Sequence, residues 1–259
     1  MPEFDVCVIG AGPAGVAAAM RAWDFGKQVC IVEKGLLGGS GVHNGALSSK
    51  TLWELSRDYI NASRRDRGYI AENVEIDFSH VVNCVHRAID EKVSQILEQF
   101  AALSQLRPSC PNCINLVRGN ARFLDSNTLF VDGNESSQSL KVTAEHFIIA
   151  TGSRPQALDE ITVDGSFIMT SDNMMDLTSL PRSMVILGAG VVGCEFATIF
   201  ANFGQTKIYL IDQADRILPF EDEDVSCICS TNLEAKGVTI HHRARLLSME
   251  VVDDQGIYY

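Results

Sequence analysis

The chain has 259 residues, 46% hydrophobic and 21% charged, which is typical of one or two folded domains. Its 21 basic and 33 acidic side chains give a net charge of −12, which argues against nucleic acid or an anionic membrane as a partner. No apolar run is long enough to cross a bilayer, and the acidic start lacks the basic segment of a signal peptide, so we expect neither a span nor a leader.

The first forty residues have the pattern of one strand–helix–strand unit. Residues 5–9 form a short apolar run, typical of a parallel strand buried on both faces. A glycine-rich turn over residues 10–15 leads into an alanine-rich helix over residues 16–25. The second strand, over residues 28–33, ends in Glu33.

The rest of the chain continues this alternation and then repeats the unit. Apolar spacing predicts helices over 50–59 and 79–106, a strand pair over 116–131 and a strand over 147–150. The second unit consists of a strand over 184–187, a turn over 188–193, a helix over 194–203 and a strand over 208–212. We therefore predict an α/β fold with two Rossmann-like units on parallel sheets, divided as 1–155 and 156–259.

The first turn matches a dinucleotide-binding fingerprint. Its sequence, Gly10-Ala11-Gly12-Pro13-Ala14-Gly15, fits G-x-G-x-x-G between a strand and a helix. The first glycine permits the tight turn, and the second lets the backbone approach a pyrophosphate at the helix N-terminus. Glu33 follows 18 residues after Gly15, where a carboxylate can accept hydrogen bonds from ribose hydroxyls.

The second turn, Gly188-Ala189-Gly190-Val191-Val192-Gly193, matches the same fingerprint, and Asp212 follows 19 residues after its last glycine. A carboxylate there favours a ribose 2′-hydroxyl over a 2′-phosphate, so we predict NAD(H) rather than NADP(H), although the nearby Arg216 complicates this choice. Two fingerprints in one chain predict FAD and NAD in adjacent units, with hydride passing between their rings.

Further motifs accompany the two turns in a fixed order: Gly38-Gly39-Ser40, Ser49-Lys50, Gly119-Asn120-Ala121-Arg122-Phe123, Ala150-Thr151-Gly152-Ser153-Arg154-Pro155, and Cys194-Glu195 after the second turn. In this combination the chain resembles the pyridine nucleotide–disulfide oxidoreductase family. Within the family it is most similar to the transhydrogenase and dihydrolipoamide dehydrogenase branches. The resemblance implies an FAD-dependent NAD(P)H oxidoreductase.

The resemblance also implies residue roles. The implied FAD-binding residues are Gly10, Gly12, Pro13, Ala14, Gly15, Glu33, Lys34, Gly39, Ser40, His43, Lys50, Ala121, Thr151 and Gly152. The implied NAD-binding residues are Gly188, Gly190, Val191, Val192, Gly193, Glu195 and Asp212. Lys50 and Glu195 would form the catalytic pair beside the flavin, where a cation favours the reduced ring.

The sequence departs from the family at its redox centre. The two positions that carry the family's disulfide are Gly41 and Ala46, and the usual proline before Ser49 is Ser48. Thiol–disulfide chemistry at this place is therefore excluded, and we expect electrons to leave the flavin for a small-molecule acceptor. The alternative is a non-catalytic nucleotide-binding fragment, or an interaction protein that kept the fold.

The eight cysteines are too few for a disulfide scaffold, so we expect reduced thiols and a cytoplasmic location. Cys7, Cys30, Cys84 and Cys194 lie in apolar patterns and are predicted core residues. Cys110 and Cys113 form a C-x-x-C pair, and Cys227 and Cys229 form a C-x-C pair. We interpret both pairs as ordinary thiols and expect no metal, while their role stays open.

The resemblance covers only the front part of such an enzyme. No segment after Asp212 matches the family's late Gly-Asp motif or its His-Glu pair. We therefore expect a partial NAD unit without the C-terminal dimerisation domain. A fragment and a naturally short protein both remain open, and a full-length form is expected to be a homodimer.

Overall fold

The most apolar segments of the sequence form the parallel strands of a six-stranded sheet in the first of two compact units. The computed structural model describes residues 3–64, 66, 68, 70, 72–106, 114–133, 138–156, 161–252 and 256–258. Unit 1 comprises residues 1–48 and 86–155, and unit 2 comprises residues 49–85 and 156–259. Residues 49–85, which the sequence analysis assigned to the first unit, group with unit 2, because Ser56 and Phe78 contact side chains of its helices.

The sheet of unit 1 has the order β3-β2-β1-β6-β5-β4. Its strands are β1 (Phe4–Ile9), β2 (Val29–Glu33), β3 (Ile114–Arg118), β4 (Asn120–Asp125), β5 (Thr128–Asp132) and β6 (Leu140–Ile149). Strands β3, β2, β1 and β6 are parallel, whereas β4, β5 and β6 form an antiparallel meander. The sequence predicted one strand pair over 116–131, but the chain turns at Gly119, so β3 joins the parallel part and β4 pairs with β5.

The described residues of the first half of the chain include four helices: α1 (Pro13–Asp24), α2 (Gly39–His43), α3 (Ala46–Ser63) and α4 (Phe78–Leu106). One face of the unit 1 sheet buries Val8 and Ile31 in a cluster with Ile96 and Phe100 of α4. The other face buries Cys7 and Cys30 under the meander. The parallel strands are therefore covered on both sides, which explains their continuous apolar sequence.

Unit 2 repeats the arrangement on a smaller sheet. Three parallel strands have the order β7-β8-β9, and β10 pairs with β11 in a separate two-stranded sheet. The elements are a 3₁₀ helix (Ser171–Asp176), β7 (Ser183–Leu187), α5 (Val191–Phe203), β8 (Lys207–Ile211), α6 (Glu223–Ala235), β9 (Thr239–His241), β10 (Glu250–Val252) and β11 (Gly256–Tyr258). The structure thus confirms the predicted α/β class with two strand–turn–helix units on parallel sheets.

Among the described helices, none is both long and apolar enough to cross a membrane. Within the same residues, no group of three or more His, Cys, Asp or Glu side chains could hold a metal ion. The C-x-x-C pair, Cys110 and Cys113, lies outside the described residues.

Buried thiols occupy both units. Cys7 and Cys30 are register partners on neighbouring strands, and both are fully buried. The hydrogen bond with Cys7, together with burial, raises the pKa of the Cys30 thiol. In unit 2, burial raises the pKa of Cys194 to about 11, whereas Cys227 is exposed. Cys84 and Cys229 are half-buried.

This burial predicts the order of thiol labelling. Among the six thiols that the structure describes, iodoacetamide should modify Cys227 first and leave Cys7, Cys30 and Cys194 unmodified in the folded protein, because the accessible thiolate is the reactive form. Peptide mass mapping after a short labelling pulse measures the order, with protein in denaturant as the control. If Cys30 were labelled as fast as Cys227 in the folded protein, Cys30 could not be buried in the core of unit 1 as the structure places it.

Candidate functional site: two glycine turns and an ion pair

The first glycine turn joins β1 to α1 and has little room for side chains. Gly10 has a φ of +104°, and a Cβ at this position would overlap the carbonyl group of Ala150. A Cβ on Gly15 would overlap the carbonyl oxygen of Gly10, so the helix packs directly on the turn. The glycines are therefore needed for the close approach of strand, turn and helix.

Glu33 fastens this turn to the neighbouring strand. Its Oε2 accepts a hydrogen bond from the Ala11 N–H at 2.5 Å, and its Oε1 accepts one from the Gly35 N–H at 2.7 Å. Each carboxylate oxygen has a second lone pair, so both can still accept hydrogen bonds from a ligand hydroxyl. The sequence predicts Glu33 as a ribose ligand, and the structure shows that its carboxylate holds the turn.

The second turn reproduces this geometry. Gly188 has a φ of +102°, and the Ala189 N–H donates to Oδ2 of Asp212 at 2.5 Å. The other oxygen of Asp212 accepts the Ala214 N–H at 2.7 Å. A Cβ on Gly193 would overlap the Gly188 carbonyl oxygen, as at the corresponding pair in the first turn.

Both turns present a helix end that can accept a diphosphate. Gly12 caps α1 and Gly190 caps α5, with nearly identical backbone angles (φ −74° and −75°) and no side-chain hydrogen bond to the cap. The first N–H groups of a helix attract anions, and a glycine leaves the backbone accessible. The residues therefore fit the phosphates of a dinucleotide in each unit. Pro13 and Ala14 of the first turn and Val191 and Val192 of the second are exposed at these ends.

Two further segments lie beside the first turn. Gly38 N–H donates to the Ala11 carbonyl at 2.8 Å, and Gly39 lies against the Cα of Gly12. Thr151 and Gly152 are exposed and directly follow β6, the parallel neighbour of β1. These predicted residues thus meet at the carboxyl ends of the parallel strands, where ligands bind in open α/β sheets.

Ala121 lies in β4, whose start is close to the backbone of Glu33. The Gly119 N–H donates to the Glu33 carbonyl at 3.0 Å, which brings the start of β4 next to the acid. Arg118, to which the sequence analysis gave no role, donates from its guanidinium to the Gly35 carbonyl at 2.8 Å and so supports the loop after Glu33. No local pattern marks this contact, because its partners are 83 residues apart.

The predicted histidine is tied to its own loop. The Nε2 of His43 lies 2.9 Å from the Leu37 carbonyl oxygen, and since a carbonyl only accepts, this nitrogen carries the proton. Ser40 and Lys34 are exposed. A Cβ on Gly41 would overlap the ring of Pro13, so the place of the family's first redox cysteine is closely packed.

Unit 2 contains the predicted ion pair. Lys50 Nζ lies 2.5 Å from Oε1 of Glu195, and Ser49 Oγ donates to the same oxygen at 2.9 Å. The Glu195 side chain is 18% exposed and that of Lys50 is 63% exposed. The pair therefore combines a half-buried carboxylate with an ammonium that stays accessible. The sequence placed Ser49 in a motif with Lys50 but gave it no role, and the structure shows that it contributes to the pair.

A cleft of about 640 Å³ opens beside the second turn in unit 2. It is lined by Gly188, Asp212 and Gln213 and by residues 244–249, which the sequence did not identify. These residues come from the turn between β9 and β10, whose sequence carries no motif. A cleft of this size at the carboxyl end of a parallel sheet is suitable for part of a dinucleotide.

Comparison with known proteins places this geometry in a family. The family model described as pyridine nucleotide-disulphide oxidoreductase matches residues 4–256. The soluble pyridine nucleotide transhydrogenase of Hahella chejuensis is 36% identical over 260 residues, which cover 98% of this chain and 53% of that protein. The dihydrolipoyl dehydrogenase of Bacillus subtilis is 33% identical over 244 residues, covering 93% of this chain and 51% of that protein.

Solved structures agree with the fold. The copper(II) complex of the flavoprotein disulfide reductase RclA from Escherichia coli has a TM-score of 0.81 at 25% identity, and covers 99% of this chain and 53% of that one. LpdA from Mycobacterium tuberculosis has a TM-score of 0.85 at 22% identity, covering 98% and 54%. The chain spans about half the length of the curated relatives it matches. It belongs to the pyridine nucleotide–disulphide oxidoreductase family.

Proposed function

We propose that the protein is an FAD-dependent NAD(P)H oxidoreductase that works without a redox disulfide. The observation that carries this proposal is the duplicated turn, in which a strand, a glycine turn, an uncapped helix end and an acidic residue occur in both units. Bound FAD would supply the hydride-accepting chemistry, taking two electrons from a nicotinamide and releasing them to an acceptor.

Unit 1 is the proposed FAD-binding unit. Its sequence follows the family order Gly38-Gly39-Ser40 and Thr151-Gly152, and these segments lie around the first turn. Glu33 would accept the ribose hydroxyls, the N-terminus of α1 would hold the pyrophosphate, and the backbone at Ala121 would contact the adenine.

Unit 2 is the proposed nicotinamide nucleotide-binding unit, with a preference for NAD(H). Asp212 would repel a 2′-phosphate and accept a 2′-hydroxyl. Arg216 is not placed to offset that charge, because its guanidinium donates to the carbonyls of Glu221 at 2.8 Å and Pro219 at 3.0 Å. The sequence alone could not decide whether Arg216 would bind a 2′-phosphate. These hydrogen bonds hold its guanidinium on the backbone and so support NAD(H) over NADP(H).

Lys50 and Glu195 are the proposed catalytic pair. Glu195 holds the ammonium by an ion pair, and the Ser49 hydroxyl donates a hydrogen bond to the same carboxylate oxygen. A cation held in this way can stabilise negative charge that develops during hydride transfer. Gly41 and Ala46 cannot form a thiolate, so the electrons would go to a small-molecule acceptor rather than through a disulfide.

The central test is the visible spectrum of the purified protein. We expect flavin absorbance that NADH bleaches without oxygen, and a bleaching rate about 100-fold lower in Lys50→Met, because a preorganised charge is removed. Lys141→Met, an exposed lysine on β6, is the matched control and should bleach like the wild type. A colourless protein that does not respond to NADH would indicate the non-catalytic nucleotide-binding alternative.

Glu33 provides a test of the FAD assignment. Glu33→Ala removes the acceptor of the Ala11 N–H and should lower the free energy of unfolding by about 1–3 kcal/mol, as for other buried donors that lose a partner. It should also weaken FAD binding, measured by quenching of flavin fluorescence. The exposed Glu91→Ala on α4 is the control. Unchanged FAD affinity in Glu33→Ala would contradict ribose binding at Glu33.

Asp212 provides a test of nucleotide choice. In Asp212→Asn the ratio of kcat/KM for NADH over NADPH should fall about tenfold, because the charge that repels a 2′-phosphate is gone. In Arg216→Ala the ratio should stay unchanged, because its guanidinium is bound to backbone carbonyls. Steady-state assays with both nucleotides give the ratio, and no change in Asp212→Asn would overturn the NAD(H) preference.

A further inference from the structure

Helices α3 and α5 are joined in unit 2 by two polar contacts that have the same register. Ser49 bonds to Glu195 at 2.9 Å, and Ser56 bonds to Asn202 at 3.1 Å. Both contacts join residues 146 apart, and each residue of the second contact lies seven positions after its counterpart in the first. The helices therefore run in the same direction, and the second contact lies two turns beyond the first.

The second contact is surrounded by aromatic side chains. Asn202 is 5% exposed and Ser56 is fully buried. Their neighbours along the helices, Tyr59 and Phe203, have ring centroids 6.2 Å apart, and Phe78 packs edge-on against Phe203 at 5.8 Å. A buried amide in such surroundings is costly unless its polar atoms are hydrogen-bonded.

Asn202 is hydrogen-bonded on both sides of its amide. Lys236 Nζ, from the residue that follows α6, donates to Asn202 Oδ1 at 2.7 Å. Asn202 Nδ2 donates to Ser56 Oγ, and Ser56 Oγ donates to the Trp53 carbonyl of α3 at 2.7 Å. Lys236, Asn202, Ser56 and the Trp53 carbonyl are thus linked by consecutive hydrogen bonds, each donated in the direction of α3. A shift of α3 or α5 along the other helix would break this hydrogen-bonded chain.

We propose that Asn202, Ser56 and Lys236 are positioning residues, which fix the register of α3 on α5 and thereby hold Lys50 and Ser49 on Glu195. The catalytic meaning of this register rests on the proposed function. The ion pair needs such support, because a lysine that is 63% exposed gains little from a single carboxylate in water. A buried polar contact that must be satisfied is a known means of fixing helix register.

The test compares variants inside the hydrogen-bonded chain with a control outside it. Asn202→Leu and Ser56→Ala break this series of hydrogen bonds. Asn202→Asp keeps the acceptor for Lys236, and its second oxygen can accept the single Ser56 proton, which then leaves the Trp53 carbonyl. Thr206→Val is the control, because Thr206 is also buried in unit 2 and donates to the Pro181 carbonyl at 2.8 Å, away from this contact. Thermal unfolding of each variant reports whether it folds.

The first readout is hydrogen exchange of the backbone amides over residues 50–55 at the start of α3, which needs no cofactor. We expect exchange about tenfold faster in Asn202→Leu and Ser56→Ala, and unchanged in Thr206→Val and Asn202→Asp, because only the first two free this end of α3 from α5. Equal exchange rates over residues 50–55 in all four variants would overturn the proposal. If Asn202→Leu does not fold, the exchange rate in Ser56→Ala decides whether the proposal holds.

The second readout is the bleaching of bound flavin by NADH at increasing NADH concentration. A positioning role predicts a limiting rate about tenfold lower in Asn202→Leu and Ser56→Ala, an NADH Kd within twofold of the wild type, and recovery in Asn202→Asp. A loss no greater than in Thr206→Val would overturn the positioning role. If the wild type itself does not bleach, the proposed function fails, whereas the hydrogen-exchange readout still decides the register.

Discussion

One hydrogen bond fixes the glycine turn in both units. In each unit, a carboxylate at the end of a strand accepts this bond from the backbone N–H next to the first glycine of the turn, and the position of the helix and of the site depends on it. Glu33 makes it to Ala11, and Asp212 makes it to Ala189, both at 2.5 Å. The bond ties the turn to the neighbouring strand, which sets where the following helix begins. The same carboxylate thus supports the fold and faces the site.

Most of the site's framework could be predicted because its signals are local. The glycines, the strand before them, the helix after them and the acid about twenty residues later all lie within one short segment, so spacing alone identifies them. The strand pair expected over 116–131 was wrong because a single residue, Gly119, redirects the chain. The contact of Ser49 with Glu195 and that of Ser56 with Asn202 could not be found, since the partners are 146 residues apart and nothing local marks the pairing.

The substitution at the redox centre is part of the packing of unit 1. Gly41 lies against Pro13, which belongs to the first glycine turn, so the loop and the turn are closer than a side chain at position 41 would permit. Returning a cysteine to this position would require Pro13 to move. The FAD assignment of unit 1, the NAD assignment of unit 2 and the cytoplasmic location expected from the reduced thiols stay predictions.

The two uncapped helices have a thermodynamic consequence. Helices α1 and α5 begin at glycines whose missing side chains leave the first N–H groups without a protein acceptor at the cap. A dinucleotide phosphate in that place would complete the helix as a capping residue does elsewhere. Each nucleotide would then stabilise its own unit by an amount that grows with its free concentration. The free energy of unfolding of this protein would therefore rise with the concentration of free nucleotide.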